Sequence, residues 1–415
     1  MQNRQKERPK VLWLSHFAPY PPKGGAEQRS YNMLAELGRG TDLTFVGLAH
    51  SSRVKAYYTD FDTGVVAIEA AFREFCTDVR LVKHGHLNRK MNRIFTAFKS
   101  LLLFRPYDYV YLQSALFQKQ IDTVLAENQF DVIHVDSIGL WQFLNSKDLS
   151  AKLILNHHNI ESAMLARRAE NADAPLSFYL KWQAHQLASI EREACKRAAL
   201  NIVCSELDAS RLRELHSVDN VEVVPNGVDL AYFTRSQPYA PLSKHLLFVG
   251  GLDWYPNRDA ATFIATKLWP LLKKAMPDIT CSIVGRGTIT ALDELAASDP
   301  NFKAPGFADD IRPVFESATI FVCPIRDGGG TKLKVLDAMA MGVPLVAHPV
   351  ACEGINVEDG QTVRFAESAE DFCSAIVQLL EQPEVLSRMS SDERELIEKN
   401  FSYESIGAEI RRMYQ

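Results

Sequence analysis

The chain has 415 residues, of which 47% are hydrophobic and 23% are charged. This length is enough for two domains of about 200 residues each, and a net charge of −5 gives no global case for binding nucleic acid. No window reaches the roughly 18 apolar residues that a membrane-spanning helix needs, and we do not expect the polar, basic residues 1–10 to be a signal peptide. Seven scattered cysteines without a CxxC pair predict reduced, buried thiols, so a cytoplasmic protein is expected.

Apolar strands alternate with helical patterns along the first half of the chain. We predict strands at 11–14, 43–48, 79–82, 109–112, 132–135, 153–155, 201–204 and 221–224, and helices at 26–37 and 176–198. This alternation is typical of a parallel sheet that is covered by helices on both faces.

The stretch 88–105 carries basic residues that interleave with apolar ones. The basic residues are Arg89, Lys90, Arg93, Lys99 and Arg105. One interpretation is a surface helix that packs one face inward, and the other is a peripheral contact with an anionic membrane.

The pair His157-His158 closes a predicted strand, where a histidine can bind a sugar hydroxyl or orient an acceptor. A histidine pair can also hold a metal, but no third ligand follows at a suitable spacing, so no metal site is predicted.

The second half of the chain again alternates strands with helices, after a segment at 234–243 that we predict to be a linker. We predict strands at 245–249, 279–284, 302–308, 319–325 and 345–347, a helix at 333–341, and further helices that begin at Ala369, Glu384 and Tyr403.

The three glycines Gly328, Gly329 and Gly330 lie between a predicted strand end and a helix start. Their amides can form an anion-binding nest at the positive end of the helix, and Lys332 and Lys334 add positive charge. Asp337 lies where a carboxylate could accept hydrogen bonds from two hydroxyls, so the pattern indicates a site for a nucleoside diphosphate and its ribose. A tight turn with solvated lysines is the alternative.

The run PIRDGGGTKLKVLDAMAMGVP at 324–344 resembles the donor-site signature of family-four retaining glycosyltransferases, most closely the branch of exopolysaccharide and cell-envelope pathways. Other matching segments are 21–27, 158–159, 224–229, 284–287, 306–310 and 353–354. They keep the family's order over nearly the whole chain, so the combined signal is specific although each piece is weak.

The resemblance implies an α/β protein of the GT-B fold, with two facing Rossmann-like domains and a cleft between them. Residues 1–233 would bind the acceptor, 244–400 would bind a nucleotide-sugar, and a helix at 401–415 would cross back to the first domain. The implied donor-binding residues are Gly24, Gly25, Gly251, Gly306, Phe307, Gly328, Gly329, Gly330, Thr331 and Asp337.

Two departures from the family pattern stand out. The family's two donor-site glutamates fall here on Gly329 and Asp337, and the second change shortens the ribose-binding arm by one methylene. Many relatives also carry an arginine and a lysine after the first strand of the second domain, where Gly251 and Pro256-Asn257 stand here. We therefore predict that Lys332 and Arg286 neutralise the diphosphate, with His158 as the third catalytic residue.

The function so implied is retaining, metal-independent transfer of a sugar from a nucleotide-sugar to a glycan or lipid-linked acceptor, without a cofactor and without nucleic acid. A degenerate binding or scaffold protein, a GT-B nucleotide-sugar epimerase and a sugar phosphorylase are the alternatives. We expect a cytoplasmic location, with a peripheral position at the inner face of the membrane if 88–105 contacts lipid.

Overall fold

The computed structural model describes residues 8–85, 90–145, 147–170, 172–241, 243–327 and 330–415. The chain divides into two compact units, each of which contains one sheet. The first unit comprises Met1–Val224 with Gly407–Gln415, and the second comprises Pro225–Ile406. The division thus precedes Pro225, and the segment 234–243 lies inside the second unit.

The first unit is built on a sheet of seven strands in the order β3-β2-β1-β4-β5-β6-β7, and every neighbouring pair is parallel. The strands are β1 (Lys10–Ser15), β2 (Asp42–His50), β3 (Asp78–His84), β4 (Val132–Val135), β5 (Lys152–Asn156), β6 (Leu200–Val203) and β7 (Val221–Val223). Since parallel neighbours need crossover connections, helices lie between successive strands. They are α1 (Gly25–Gly38), α2 (Ser51–Val54), α3 (Phe61–Phe72), α4 (Lys90–Leu103), α5 (Tyr107–Leu112), α6 (Ala115–Glu127), α7 (Glu161–Glu170), α8 (Leu176–Arg197) and α9 (Glu206–His216), with a 3₁₀ turn at Ile138–Phe143.

The second unit has a six-stranded parallel sheet in the order β10-β9-β8-β11-β12-β13. Its strands are β8 (His245–Val249), β9 (Thr280–Val284), β10 (Phe302–Gly306), β11 (Ile320–Cys323), β12 (Leu345–Ala347) and β13 (Arg364–Phe365). Its helices are α10 (Tyr255–Phe263), α11 (Trp269–Ala275), α12 (Thr290–Ser298), α13 (Arg312–Glu316), α14 (Leu333–Ala340), α15 (Ala369–Leu380) and α16 (Pro383–Asn400), with a π turn at Ile264–Leu268 and a 3₁₀ turn at Pro349–Cys352. The last helix, α17 (Tyr403–Met413), begins in the second unit and ends in the first.

The predicted α/β fold class is confirmed, because both sheets are parallel and apolar on their buried strands. One predicted strand, 109–112, is wrong: these residues belong to the helix α5. The segment is rich in tyrosine and valine, which favour strands. However, Asp108 in the first turn suits a helix start, and Tyr109 and Leu112 share one helix face that is buried.

The interpretation of 88–105 as a surface helix that packs one face inward agrees with the described residues, but the packed face is the polar one. Helix α4 buries Thr96 and Ser100 and exposes its large apolar side chains. Residues 88 and 89 lie outside the described residues.

All seven cysteines are free, and every one except the half-buried Cys373 is buried. None of the helices in the described ranges combines the length and the apolar character that crossing a membrane requires.

Candidate functional site

The carboxyl ends of four strands in the second unit gather most of the residues predicted to bind a nucleotide. Strand β8 leads into Gly250-Gly251, β9 into 285–287, β10 ends at Gly306, and β11 leads toward 330–332. The strand order reverses between β8 and β11, and ligands of open parallel sheets bind at such a switch point.

Backbone hydrogen bonds tie these strand ends together. The Leu252 amide donates to the Arg286 carbonyl oxygen over 2.6 Å, and the Gly285 amide donates to the Gly306 carbonyl oxygen over 2.9 Å. Gly306 has φ +83°, a conformation that side-chain-bearing residues rarely adopt. The loops after β8, β9 and β10 are therefore held in one arrangement.

The glycine-rich loop is described only from its third glycine onward, and Gly328 and Gly329 lie outside the described residues. Gly330 has φ +66°, which again favours glycine. The carbonyl oxygen of the buried Thr331 accepts a hydrogen bond of 2.9 Å from the side-chain amide of Asn226. Lys332 directly precedes α14, and its Nζ donates a hydrogen bond to the Gly330 carbonyl oxygen over 3.0 Å.

Arg286 and Phe307 lie next to each other on two neighbouring loops. The guanidinium of Arg286 is 4.9 Å from the centre of the Phe307 ring, which is 43% exposed. This cation–π contact holds a positive charge at the ends of β9 and β10.

Lys334 is another cation at this edge of the sheet, and no site role was predicted for it from the sequence. Its Nζ donates to the side-chain oxygen of Asn257 and lies 5.1 Å from the centre of the Phe248 ring. A Cβ added to Gly250 would be only 2.6 Å from that Nζ, so the ammonium lies against the loop after β8. Burial lowers the pKa of Lys334 to about 8, and the charge of Lys332 acts in the same direction.

Asn257 connects Lys334 to the loop in which the resemblance expects basic residues. Its side-chain amide donates to the Gly251 carbonyl oxygen over 2.8 Å, while its oxygen accepts from Lys334. Lys334 on α14 therefore brings a positive charge to the place where Gly251 and Asn257 provide none.

Asp337 is buried, with 8% of its surface exposed, and its Oδ1 has no hydrogen-bond partner in the described part of the chain. Burial raises the pKa of this carboxyl from 3.8 to about 8, although the nearby Lys334 charge opposes the rise. A buried acceptor without a donor costs about 1–3 kcal/mol. Hydroxyl groups of a ligand would remove that cost.

In the first unit, the carboxylate of Asp136 organises a buried polar network after β4. Its Oδ1 accepts hydrogen bonds from Asn156 (2.8 Å) and from His158 Nε2 (3.1 Å). Its Oδ2 accepts from Ser30 (2.8 Å) and Ser15 (3.2 Å). Four donors on one fully buried carboxylate fix the residues that follow β4 and β5 relative to α1.

This network sets the orientation of His158, the histidine predicted from the sequence. Burial favours the protonated carboxyl, but the charges of His158 and His134 and the hydrogen bond from His158 hold the pKa of Asp136 well below its usual range. The ionised Asp136 accepts a hydrogen bond from Nε2 of His158, so Nδ1 of the same ring can bind a ligand. The His158 side chain is 13% exposed.

Gly24 and Gly25 form the start of α1, but one of the chain's own carboxylates lies beside them. A Cβ on Gly24 would be 2.2 Å from Glu27 Oε2, and the other Glu27 oxygen accepts from Arg53 over 2.6 Å. Ser30 of the same helix binds Asp136. The two glycines are thus linked to the His158 network through α1.

No group of three or more His, Cys, Asp and Glu side chains suited to a metal occurs among the described residues. The cations at the strand ends of the second unit include Arg286, Lys332 and Lys334, whereas Arg326 after β11 is paired with Asp259.

Comparison with known proteins accounts for both units. Residues 23–232 match the family model "Glycosyltransferase Family 4", and residues 243–382 match "Glycosyl transferases group 1". The chain belongs to glycosyltransferase family 4. The fold is accordingly GT-B, and the family predicted from the motifs is confirmed.

Relatives of this family 4 chain include a protein of similar length, described as an uncharacterized 44.6 kDa protein in the cps region of Klebsiella pneumoniae. It is 20% identical, over 97% of this chain and 98% of its own. The phosphatidyl-myo-inositol mannosyltransferase of Mycobacterium leprae is 24% identical over 52% of this chain and 58% of its own. Among solved structures, Anabaena Alr3699/HepE in complex with UDP and glucose has a TM-score of 0.65 at 14% identity, and covers 98% of this chain and 99% of its own.

Proposed function

We propose that this family 4 glycosyltransferase transfers a sugar from a nucleoside-diphosphate sugar to a glycan or lipid-linked acceptor, with retention of configuration. The pathway we propose is exopolysaccharide or cell-envelope synthesis at the cytoplasmic side. The cps-region relative, the mannosyltransferase relative and the UDP and glucose of the solved structure support this assignment.

The observation that carries the proposal is the pairing of an unsatisfied buried acceptor with cations at one sheet edge. Asp337 Oδ1 lacks a donor among the described residues, and Lys334 lies three residues earlier on the same helix. A nucleoside diphosphate offers hydroxyl donors on its ribose and negative charge on its phosphates. It therefore satisfies both features with one ligand.

The chemistry of the step is electrostatic. As the bond between the sugar and the diphosphate breaks, negative charge grows on the leaving phosphate, and Lys332, Lys334 and Arg286 would stabilise it. These three side chains replace the charge of a metal ion, so we propose a metal-independent reaction without a cofactor. The leaving phosphate itself would take the proton of the acceptor hydroxyl on the same face, which gives retention.

In the first unit, His158 would bind a sugar hydroxyl through Nδ1, because Asp136 holds Nε2. Gly306 and Phe307 would contact the base through the backbone, whereas Thr331 and the glycine-rich loop would line the phosphates. We propose acceptor binding by the first unit and donor binding by the second.

Calorimetric titration of the whole protein with UDP, GDP and ADP, in the presence of a chelator, tests this proposal. We expect one nucleotide to bind and Asp337→Ala to weaken it by at least about tenfold, which corresponds to ~1.4 kcal/mol. Incubation of the matching nucleotide-sugar with candidate acceptors, followed by NMR of the product, would then report the configuration of the new bond.

Binding of none of the three nucleotides by a folded protein would contradict the proposal and favour a degenerate scaffold. Release of an epimerised sugar without transfer would favour an epimerase. The variant Asp293→Ala, on α12, is the matched control for loss of one carboxylate in the second unit.

A further inference from the structure

Helix α4 presents an unusually apolar surface to solvent. Seven of the eighteen large apolar side chains that are exposed in the described ranges belong to this helix and the residue after it, with exposures between 44% and 74%. This set, the α4 apolar patch, consists of Ile94, Phe95, Phe98, Leu101, Leu102, Leu103 and Phe104. Contiguous apolar surface of this kind marks an interaction site.

The orientation of α4 is fixed by hydrogen bonds on its opposite side. The Ser100 hydroxyl lies 2.9 Å from the Tyr179 hydroxyl and accepts a hydrogen bond of 3.2 Å from the side-chain amide of Gln183. Both partners belong to α8, and both Ser100 and Thr96 are buried. Because the polar side of α4 faces the protein, the apolar patch faces outward.

Helix α8 extends the patch at its first turn. Leu176 and Phe178 are 46% and 71% exposed, and they lie just before Tyr179, which contacts Ser100. The exposed apolar surface therefore spans two helices that are held together.

The sequence around the patch is basic, in a chain whose net charge is −5, although Arg80 is paired with Asp78 and Glu127. The sequence contains no aspartate or glutamate between Asp78 and Asp108. That interval contains seven basic residues, namely Arg80, Lys83, Arg89, Lys90, Arg93, Lys99 and Arg105. A basic helix with a phenylalanine- and leucine-rich face has the composition of a helix that lies in the surface of an anionic bilayer.

The position of α4 relates this surface to the network around His158. Helix α4 follows the carboxyl end of β3, and Asp136 and His158 follow the carboxyl ends of the parallel strands β4 and β5. A cavity of about 480 Å³ adjoins the end of the patch and is lined by Phe104, Arg105, Gln113, Gln118 and Gln186 among others. The patch and the cavity thus lie toward one edge of the sheet.

We propose that α4 docks the first unit on an anionic lipid bilayer, with the α4 apolar patch inserted at the boundary between headgroups and acyl chains. Lys99 and Arg105 would contact lipid phosphates. This binding requires neither donor nor acceptor, so it holds or fails independently of the proposed transfer reaction.

Co-sedimentation of the full chain with phosphatidylcholine vesicles, with and without phosphatidylglycerol, tests the inference. We expect sedimentation with the anionic vesicles and a decrease at high salt, because salt screens the basic side chains. The double variant Phe95→Ser/Phe98→Ser should lower the partition coefficient by at least about tenfold, since two large apolar side chains lose their insertion.

Two matched controls accompany these variants. Val66→Ser on α3 removes an apolar side chain with the same 68% exposure as Phe95, and it should leave sedimentation unchanged. Lys99→Glu should weaken anionic binding, whereas Lys274→Glu changes the net charge equally in the second unit and should not.

A wild-type protein that stays in the supernatant with anionic vesicles would overturn the inference. So would Phe95→Ser/Phe98→Ser binding as well as wild type. If size-exclusion chromatography shows a dimer that this variant dissociates, without vesicle binding, a second copy covers the patch and the bilayer assignment is wrong. Nucleotide binding by the same variants should stay unchanged.

Discussion

The raised pKa of Asp337 predicts that nucleotide affinity increases with pH. In the free protein the carboxyl titrates at about 8 because of burial, so it carries a proton at neutral pH. Ribose hydroxyls donate to a carboxylate, and binding would therefore release that proton. Below pH 8, each unit of pH should then change the dissociation constant by about tenfold, with tighter binding at the higher pH.

The assay is calorimetry at about pH 6 and about pH 7, in buffers with different ionisation enthalpies, which report the proton release directly. The ligand should be the nucleotide-sugar rather than the free diphosphate, because the terminal phosphate of the latter titrates in the same range. Asp337→Asn should bind more weakly at pH 7 and lose the pH dependence. A 2′-deoxy ligand should reduce the proton release.

Affinity that is equal at both pH values, with no proton exchanged on binding, would refute the assignment of Asp337 to the diol. The same ionisation affects stability. Since the folded pKa lies above the ordinary value, the folded protein holds a proton that the unfolded chain releases. The contribution of Asp337 to stability is therefore largest below its ordinary pKa and decreases as the pH rises toward 8.

Two further substitutions test the other charged groups. Lys334→Met should lower the affinity for a nucleoside diphosphate by at least about tenfold, the loss expected for one charge-assisted hydrogen bond. It should lower the affinity for the uncharged nucleoside less, because that ligand loses only the effect of Lys334 on Asp337. Equal loss for both ligands would mean that Lys334 does not contact the phosphates. Asp136→Asn should reduce turnover and shift the pH–rate profile without changing nucleotide affinity, because the amide no longer fixes the His158 tautomer. An unshifted profile would exclude Asp136 as a positioning residue. Thermal unfolding of the variant would report any change in stability.

Most of the fold was predictable from the sequence because buried parallel strands are short apolar runs between turn residues. The strands 132–135, 245–249 and 345–347 match the structure residue for residue. Helix α5 was mistaken for a strand because its aromatic and β-branched residues favour strands, although its buried positions Tyr109 and Leu112 have helical spacing. The two-residue strand β13 is too short to leave a periodic signal.

The site was predictable only where a motif marks it. Asp337 and Lys332 lie within the glycine-rich run and were identified from it. Asp136 was missed, although a carboxylate directly after a buried parallel strand is a recognisable signal. Lys334 was noted only as charge, because its contact with Asn257 joins residues that are far apart in the sequence.

Both departures from the family pattern involve residues of helix α14. Lys334 supplies a cation to the loop after β8, and Asp337 provides the shortened acceptor, three residues later on the same helix face. Their titrations are coupled, because the Lys334 charge lowers the pKa of Asp337 against the effect of burial. Removal of that charge should raise the pKa of Asp337 further. Lys334→Met should therefore move the pH dependence of nucleotide-sugar binding to higher pH as well as weaken binding. A weakened affinity with an unmoved pH dependence would mean that the two side chains act separately, and the coupling inferred from their spacing would be wrong.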